Sequence, residues 1–447
     1  MDGETIKEQR ARQPRRRKAA ATAVACAVVG GLTAGLISLG PEAPPRPAQG
    51  AVPVTAGAQD LGEQIAARRA WLREHPKDAT VWAGLAAGYI EQARRSADFS
   101  YHSRAEEALE RALALSPGHV PALVGMGALA NARHDFAAAR TWGERAQRAE
   151  PGNWTVYPVL ADAYTQLGRY PQATAAVQRL LDLKPGVPAF TRAAYELEMQ
   201  GRTDEAAEAL RRALEDASDP ADRAFCLHRL GELDWERGRV APALARYEEA
   251  LRADPAAHAA LAGRAKARAA LGRTEDALAD YRTVTGRVPL PEYVLAYGEL
   301  LESLGRGAEA RRQYEVLRAQ IRLLEAQGAE DDLTLGLFEA DHGDARAAVE
   351  RLRAEWSRRR SVLVADALAW ALHRAGRPAE AAPLARTAAA LGWRPASFAY
   401  HRGEIARALG DEAGARKHLH EALRINPHFS PLKARAARAA LRAGGGA

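Results

Sequence analysis

Small residues recur along the chain with a fixed period, set between stretches in which apolar and polar positions mix at helical spacing. Ten alanines, Ala105, Ala139, Ala173, Ala206, Ala243, Ala277, Ala310, Ala348, Ala381 and Ala415, stand 33 to 38 residues apart. Twelve positions before each of the last nine comes another small residue: Gly127, Ala161, Ala194, Gly231, Ala265, Gly298, Gly336, Ala369 and Gly403. For Ala105 the counterpart is Ala86. A period of about 34 residues predicts stacked helical hairpins, none of which can bury its apolar face without a neighbour. Nothing between them shows the alternating Val, Ile and aromatic pattern of strands.

Punctuation inside the period explains the hairpin. Five residues before the marker alanine stands Gly168, Gly201, Gly238, Gly272, Gly305, Gly343, Gly376 or Gly410, where a helix end takes up the left-handed conformation. Twelve residues after it comes Pro117, Pro151, Pro185, Pro255, Pro289 or Pro427, which stops the second helix. Trp82, Leu85, Ala86 and Tyr89 then match the W-x2-L-G-x2-Y opening of a tetratricopeptide repeat, with Ala for Gly, and Leu109, Ala112 and Pro117 supply its ending. Residues 60–442 resemble that family. The resemblance implies an all-α chain, an α-solenoid of about ten helical hairpins over residues 60–427, with a C-terminal capping helix at 428–442.

Two stretches depart from the spacing. Between Tyr89 and Ala105 seven extra residues, around Arg94, Ser96, Asp98, Phe99 and Tyr101, predict an enlarged exposed turn carrying two aromatic rings. Asp216 to Pro220 lengthens a connector, and a similar excess precedes Gly336. Asp234, Arg264 and Arg268 fall on the inward stripe of first helices, so Asp234 is expected to pair with one of these arginines, unless the register slips and all three face water.

The first sixty residues differ in kind. Residues 1–18 hold seven Lys or Arg against three acids, and the 21 residues from Ala19 to Leu39 carry no charge. At 1.5 Å per residue such a segment spans a hydrocarbon core of about 30 Å. The reading is a basic cytoplasmic tail (1–18), a transmembrane signal anchor (19–39) in the lipid bilayer and a Pro-rich linker (40–59), which places the repeats outside the cytoplasm. A cleaved signal peptide is the rival, with Ala56, Gly57 and Ala58 as its small-x-small site. Ala23, Ala27, Gly31 and Gly35 form a small-residue stripe that would allow weak dimerisation of the anchor.

Charge and composition narrow the function. Of the net charge of +7, the tail contributes +4, so the scaffold is nearly balanced and no nucleic-acid surface is expected. The one basic run in the repeats, Arg358 to Arg360, reads as a solvated helix end. Only two cysteines, Cys26 and Cys226, exist, so there is no disulfide framework. Gly125, Gly127 and Ala130 mimic a dinucleotide loop without a preceding strand, and Ser430 and Lys433 spell S-x-x-K without companion motifs. The chain reads as non-catalytic, with no cofactor and no metal site.

Family members hold ligands on the concave surface formed by first helices. Carried onto this sequence, that resemblance implies Thr155, Asp162, Tyr195, Glu198, His228, Glu232, Trp235, Lys266, Glu299, Asp366, Trp370 and His373 as the inner face, suited to a protein or peptide with basic and apolar side chains. Three functions fit: a membrane-tethered adaptor, a secreted binding protein released by cleavage, or a non-catalytic subunit of an envelope-assembly or glycan-modifying complex. Anchor, spacer and repeats together favour the first.

Overall fold

The computed structural model describes residues 61–96, 98–326 and 332–443, and every regular element among them is an α-helix. After α1 (Leu61–Glu74) come ten hairpins. The first five pair α2 (Ala79–Ser96) with α3 (Ser100–Leu115), α4 (Val120–Ala132) with α5 (Phe136–Ala149), α6 (Val156–Gln166) with α7 (Tyr170–Leu183), α8 (Val187–Met199) with α9 (Thr203–Asp216), and α10 (Pro220–Glu236) with α11 (Val240–Ala253). The next five pair α12 (His258–Ala270) with α13 (Thr274–Arg287), α14 (Pro291–Ser303) with α15 (Gly307–Ala326), α16 (Asp332–His342) with α17 (Ala345–Arg358), α18 (Val362–Arg374) with α19 (Pro378–Ala388), and α20 (Ala396–Ala408) with α21 (Glu412–Ile425). A last helix, α22 (Lys433–Ala443), follows. The tail, anchor and linker expected over residues 1–59 lie outside the described residues. Among those described, no helix is long and apolar enough to cross a membrane.

All ten marker alanines and their ten small counterparts are buried. Their smallness has a specific use. A Cβ on Gly231 would lie 2.6 Å from the Tyr247 ring, and one on Gly263 would lie equally close to the same ring. Tyr247, fully buried on α11, is thus clasped between the glycines of two successive first helices, α10 and α12. Leu352 against Gly336 and Leu419 against Gly403 repeat the fit, each bulky residue standing sixteen positions after its glycine. Shape complementarity at this grain is what lets thin, alanine-rich helices bury enough surface.

Seven of the eight turn glycines have φ between 70° and 79°, as the left-handed turn demands. Gly343 does not, and in the second hairpin His134 takes the same turn position with φ 61°. The enlarged loop expected after Tyr89 is not there. Most of the extra residues lengthen helices instead: α2 runs to Ser96, α3 begins at Ser100, Tyr101 packs on Tyr89 with ring centroids 5.8 Å apart, and Phe99 meets His102 at 5.4 Å. Helix extension keeps the backbone paired, which an open loop would not.

The solenoid is wound tightly enough to touch itself. Arg359 donates to Gln166 at 2.8 Å, the Val362 amide donates to the Tyr170 hydroxyl at 2.9 Å, and Asn426 donates to the Trp235 carbonyl at 2.7 Å, across 193, 192 and 191 residues. One superhelical turn therefore takes between five and six hairpins. Two turn glycines serve this contact as well: a Cβ on Gly168 would collide with the Arg360 carbonyl, and one on Gly201 would lie 2.6 Å from the Gly392 carbonyl. Of the basic run, Arg358 and Arg360 are exposed at the helix end as expected, and only Arg359 departs from that reading. Arg358 is paired with Asp332 and Glu355, Arg360 lies over the Trp356 ring, and Arg359 is buried between Glu355, Gln166 and the Phe136 ring.

Asp234 does not meet Arg264 or Arg268. It pairs with Arg239 at the hairpin turn, 2.5 Å away, while both arginines converge on Asp280 of α13 at 2.7 to 2.9 Å. The acid comes from the partner helix of the same hairpin, a position whose inward direction the first-helix register could not reveal. Because Asp280 is buried, removing it leaves Arg264 without its acid and Arg268 with only Glu248, 3.9 Å away. Asp280→Ala is expected to lower stability by about 3–5 kcal/mol, read as an earlier urea transition; a shift no larger than that of an exposed Asp→Ala control would contradict it.

Candidate functional site

Along the inner face, acids on one first helix meet bases on the next. Arg192 of α8 grips Asp162 of α6 with two hydrogen bonds of 2.8 and 2.7 Å, and Arg229 of α10 donates to Glu198 of α8 at 2.7 Å. Glu232 of α10 accepts from Lys266 of α12 at 2.7 Å and from the Tyr247 hydroxyl at 2.6 Å, with His228 at 3.4 Å. Lys266 also lies 5.0 Å from the centre of the Trp235 ring. Burial pushes the Asp162 and Glu198 carboxyls up in spite of their arginines. For Glu232 burial acts the same way, but Lys266 and His228 together outweigh it and hold the group well below the usual range.

These helices, with α2, α4, α14 and the chain around residues 427–438, line an open lumen of about 1870 Å³. Small residues such as Ala87, Ala128 and Ala259 open it, and Phe225, Trp235, Tyr281 and Tyr293 give it aromatic walls. One carboxyl stands apart. Glu236, a helical turn after Glu232, lines the lumen with no hydrogen-bond or ion-pair partner among the described residues, and burial, reinforced by Glu232 and Glu198 against Lys266, pushes it up to about 7. Glu198, Glu232 and Glu236 thus face Arg229, Lys266 and His228, and of the three carboxyls only Glu236 has no direct partner among the described residues. Among the described residues no group of three metal-ligating side chains converges.

The tetratricopeptide repeat family profile matches residues 93–153, 159–223, 228–289, 263–321 and 367–428, more than half of the chain. The chain belongs to this family. No curated protein sequence matches it. Among solved structures, it is similar to PilW, a type IV pilus biogenesis factor, at 19% identity over 46% of this chain and 97% of that one, with a TM-score of 0.39. A tetratricopeptide repeat protein from Parabacteroides merdae has 19% identity over 58% of this chain and 98% of its own, with a TM-score of 0.34. A monomeric IFIT1 mutant with Gppp-AAAA has 14% identity over 73% and 76%, with a TM-score of 0.46.

Nine of the tetratricopeptide inner-face residues singled out from sequence line the lumen: Thr155, Asp162, Tyr195, Glu198, His228, Glu232, Trp235, Lys266 and Glu299. Their charges do not stand free. Acids and bases satisfy one another along the ladder, and Glu299 meets His342 at 3.3 Å. Asp366 and Trp370 are placed elsewhere: Asp366 is buried against His401 at 2.8 Å, and Trp370 donates to Asp341 at 2.8 Å while stacking on His401. Arg192, Arg229 and Glu236 belong to the lumen and were not picked out, although each lies within a turn of a residue that was. The motif mimics resolve into packing and capping. Gly125 receives Leu109, and Ser430 accepts from the Lys433 amide at 3.1 Å at the start of α22.

Proposed function

We propose that this tetratricopeptide repeat protein is a non-catalytic scaffold, tethered to the membrane through residues 19–39, that holds a segment of a partner protein inside its lumen. The lumen carries the reading: it is lined by first helices, walled by small and aromatic residues, and left with one unpaired carboxyl, Glu236. A segment of small and apolar residues bearing one Lys or Arg suits those walls, because its cation would pair with Glu236. The uncharged stretch behind a basic tail supports the tether.

Two measurements test the two halves. A photo-crosslinking amino acid at Ala128 or Ala259 of the full chain, both on the lumen wall, is expected to capture a protein that the same probe at exposed Arg212 does not. Equal capture from both faces would remove the lumen. Carbonate extraction of native membranes is expected to leave the chain in the pellet; quantitative release would remove the tether.

A further inference from the structure

The C-terminal segment leaves the path of the solenoid. A further hairpin would lay its first helix on α20 and α21, one repeat back. The polar contacts of α22 reach much farther. Lys433 pairs with Asp341 of α16 at 2.8 Å and sits 5.1 Å from the centre of the Trp370 ring of α18, whose own indole nitrogen donates to the same Asp341. Arg435 donates to the Ser303 carbonyl at the end of α14, 2.5 Å away. Pro427 to Pro431, Ala434, Arg435 and Arg438 all line the lumen. The helix thus crosses the concave face where the resemblance expected ligand contacts at Trp370.

Its grip has an uneven make-up. Ala434 and Ala437 are buried on α22, and Ala440 and Leu441 pack partly buried against the core of the last hairpins. Lys433 makes a half-buried polar contact, and the burial that acts on Asp341 is outweighed by that ammonium, which holds the carboxyl below its usual range. One face of α22 thus rests on α21, while its first residues, Lys433 and Arg435, reach back across the concave face to α16 and α14.

We propose that α22 is an internal ligand of the concave face, occupying a site that a partner's basic, alanine-rich helix takes when the arm is displaced. Asp341 and Trp370 together accept one ammonium, the Ser303 carbonyl accepts a guanidinium two residues on, and close approach requires small residues at the intervening helical face. The proposal rests on the concave face being where partners bind. Because the arm is covalently attached, its effective concentration is high, on the order of millimolar, and an external helix must outcompete it.

The probe is a fluorescein-labelled synthetic peptide of residues 428–443, followed by anisotropy against three forms of the full chain. Wild type is expected to bind weakly, since its own arm fills the site. Lys433→Glu, which sets two carboxylates against each other and unseats the arm, is expected to bind at least tenfold more tightly. Adding Asp341→Asn to that variant should lose the gain. Equal binding by wild type and a folded Lys433→Glu chain, or a gain that survives Asp341→Asn, would overturn the proposal. Should Lys433→Glu unfold, a chain ending at Ser430 takes its place; if that unfolds too, α22 is a structural cap and the idea falls. The lumen reading stands or falls separately, on the crosslink at Ala128.

Discussion

Arg359→Ala is expected to destabilise the chain by about 1–3 kcal/mol, because it takes the buried guanidinium from the Glu355 carboxylate and leaves that group to the exposed Arg358 alone. The same change removes the hydrogen bond to Gln166 that ties one superhelical turn to the next. Two readouts should move together. Urea unfolding should begin earlier, and solution scattering should report a larger radius of gyration as the turns part. Since long repeat arrays need not unfold in one step, the shift belongs to the first transition rather than to a single midpoint. A double variant, Glu355→Gln with Arg359→Met, removes both charges and should recover part of the stability but not the clasp. If Arg359→Ala leaves both the scattering curve and the denaturation profile as they were, the turns are not held together in the way described.

Tyr247→Ala is the second large effect. The ring is fully buried between Gly231 and Gly263, and truncating it leaves a cavity shared by three helices, a loss of about 3–5 kcal/mol. Tyr247→Phe keeps the ring and forfeits only the hydrogen bond to Glu232, about 1 kcal/mol, since Lys266 still neutralises that carboxylate. Hydrogen exchange should therefore speed up through α10, α11 and α12 in the alanine variant far more than in the phenylalanine one. Similar exchange in both would mean the fit against the glycines contributes little.

The hairpins were legible because their determinants are local. Ala243, Gly238 and Gly231 lie within twelve residues of each other and state, between them, where two helices meet and where the chain turns. His134 escaped because a non-glycine residue at a left-handed turn leaves no compositional mark. The helix extension after Tyr89 escaped because an insertion reads the same whether it lengthens a loop or the helices beside it. What a sequence period cannot carry is contact at a distance of more than five repeats. Gln166, Tyr170 and Arg359 each look like surface residues of their own hairpin, and only the pitch of the whole solenoid brings them together. The inner face was half legible for the same reason: the helix face follows from spacing, but that Asp162 would spend its charge on Arg192 depends on how far neighbouring hairpins rotate.

The self-contact of the solenoid also constrains how such a chain could have changed over time. An array whose units touch only their neighbours can gain or drop one anywhere along its length. Here the loss of a single hairpin between Trp235 and Arg359 would carry Gln166, Tyr170 and Trp235 out of step with Arg359, Val362 and Asn426 all at once. Repeat number in this stretch is therefore locked, much as the thread count of a screw is locked by its nut.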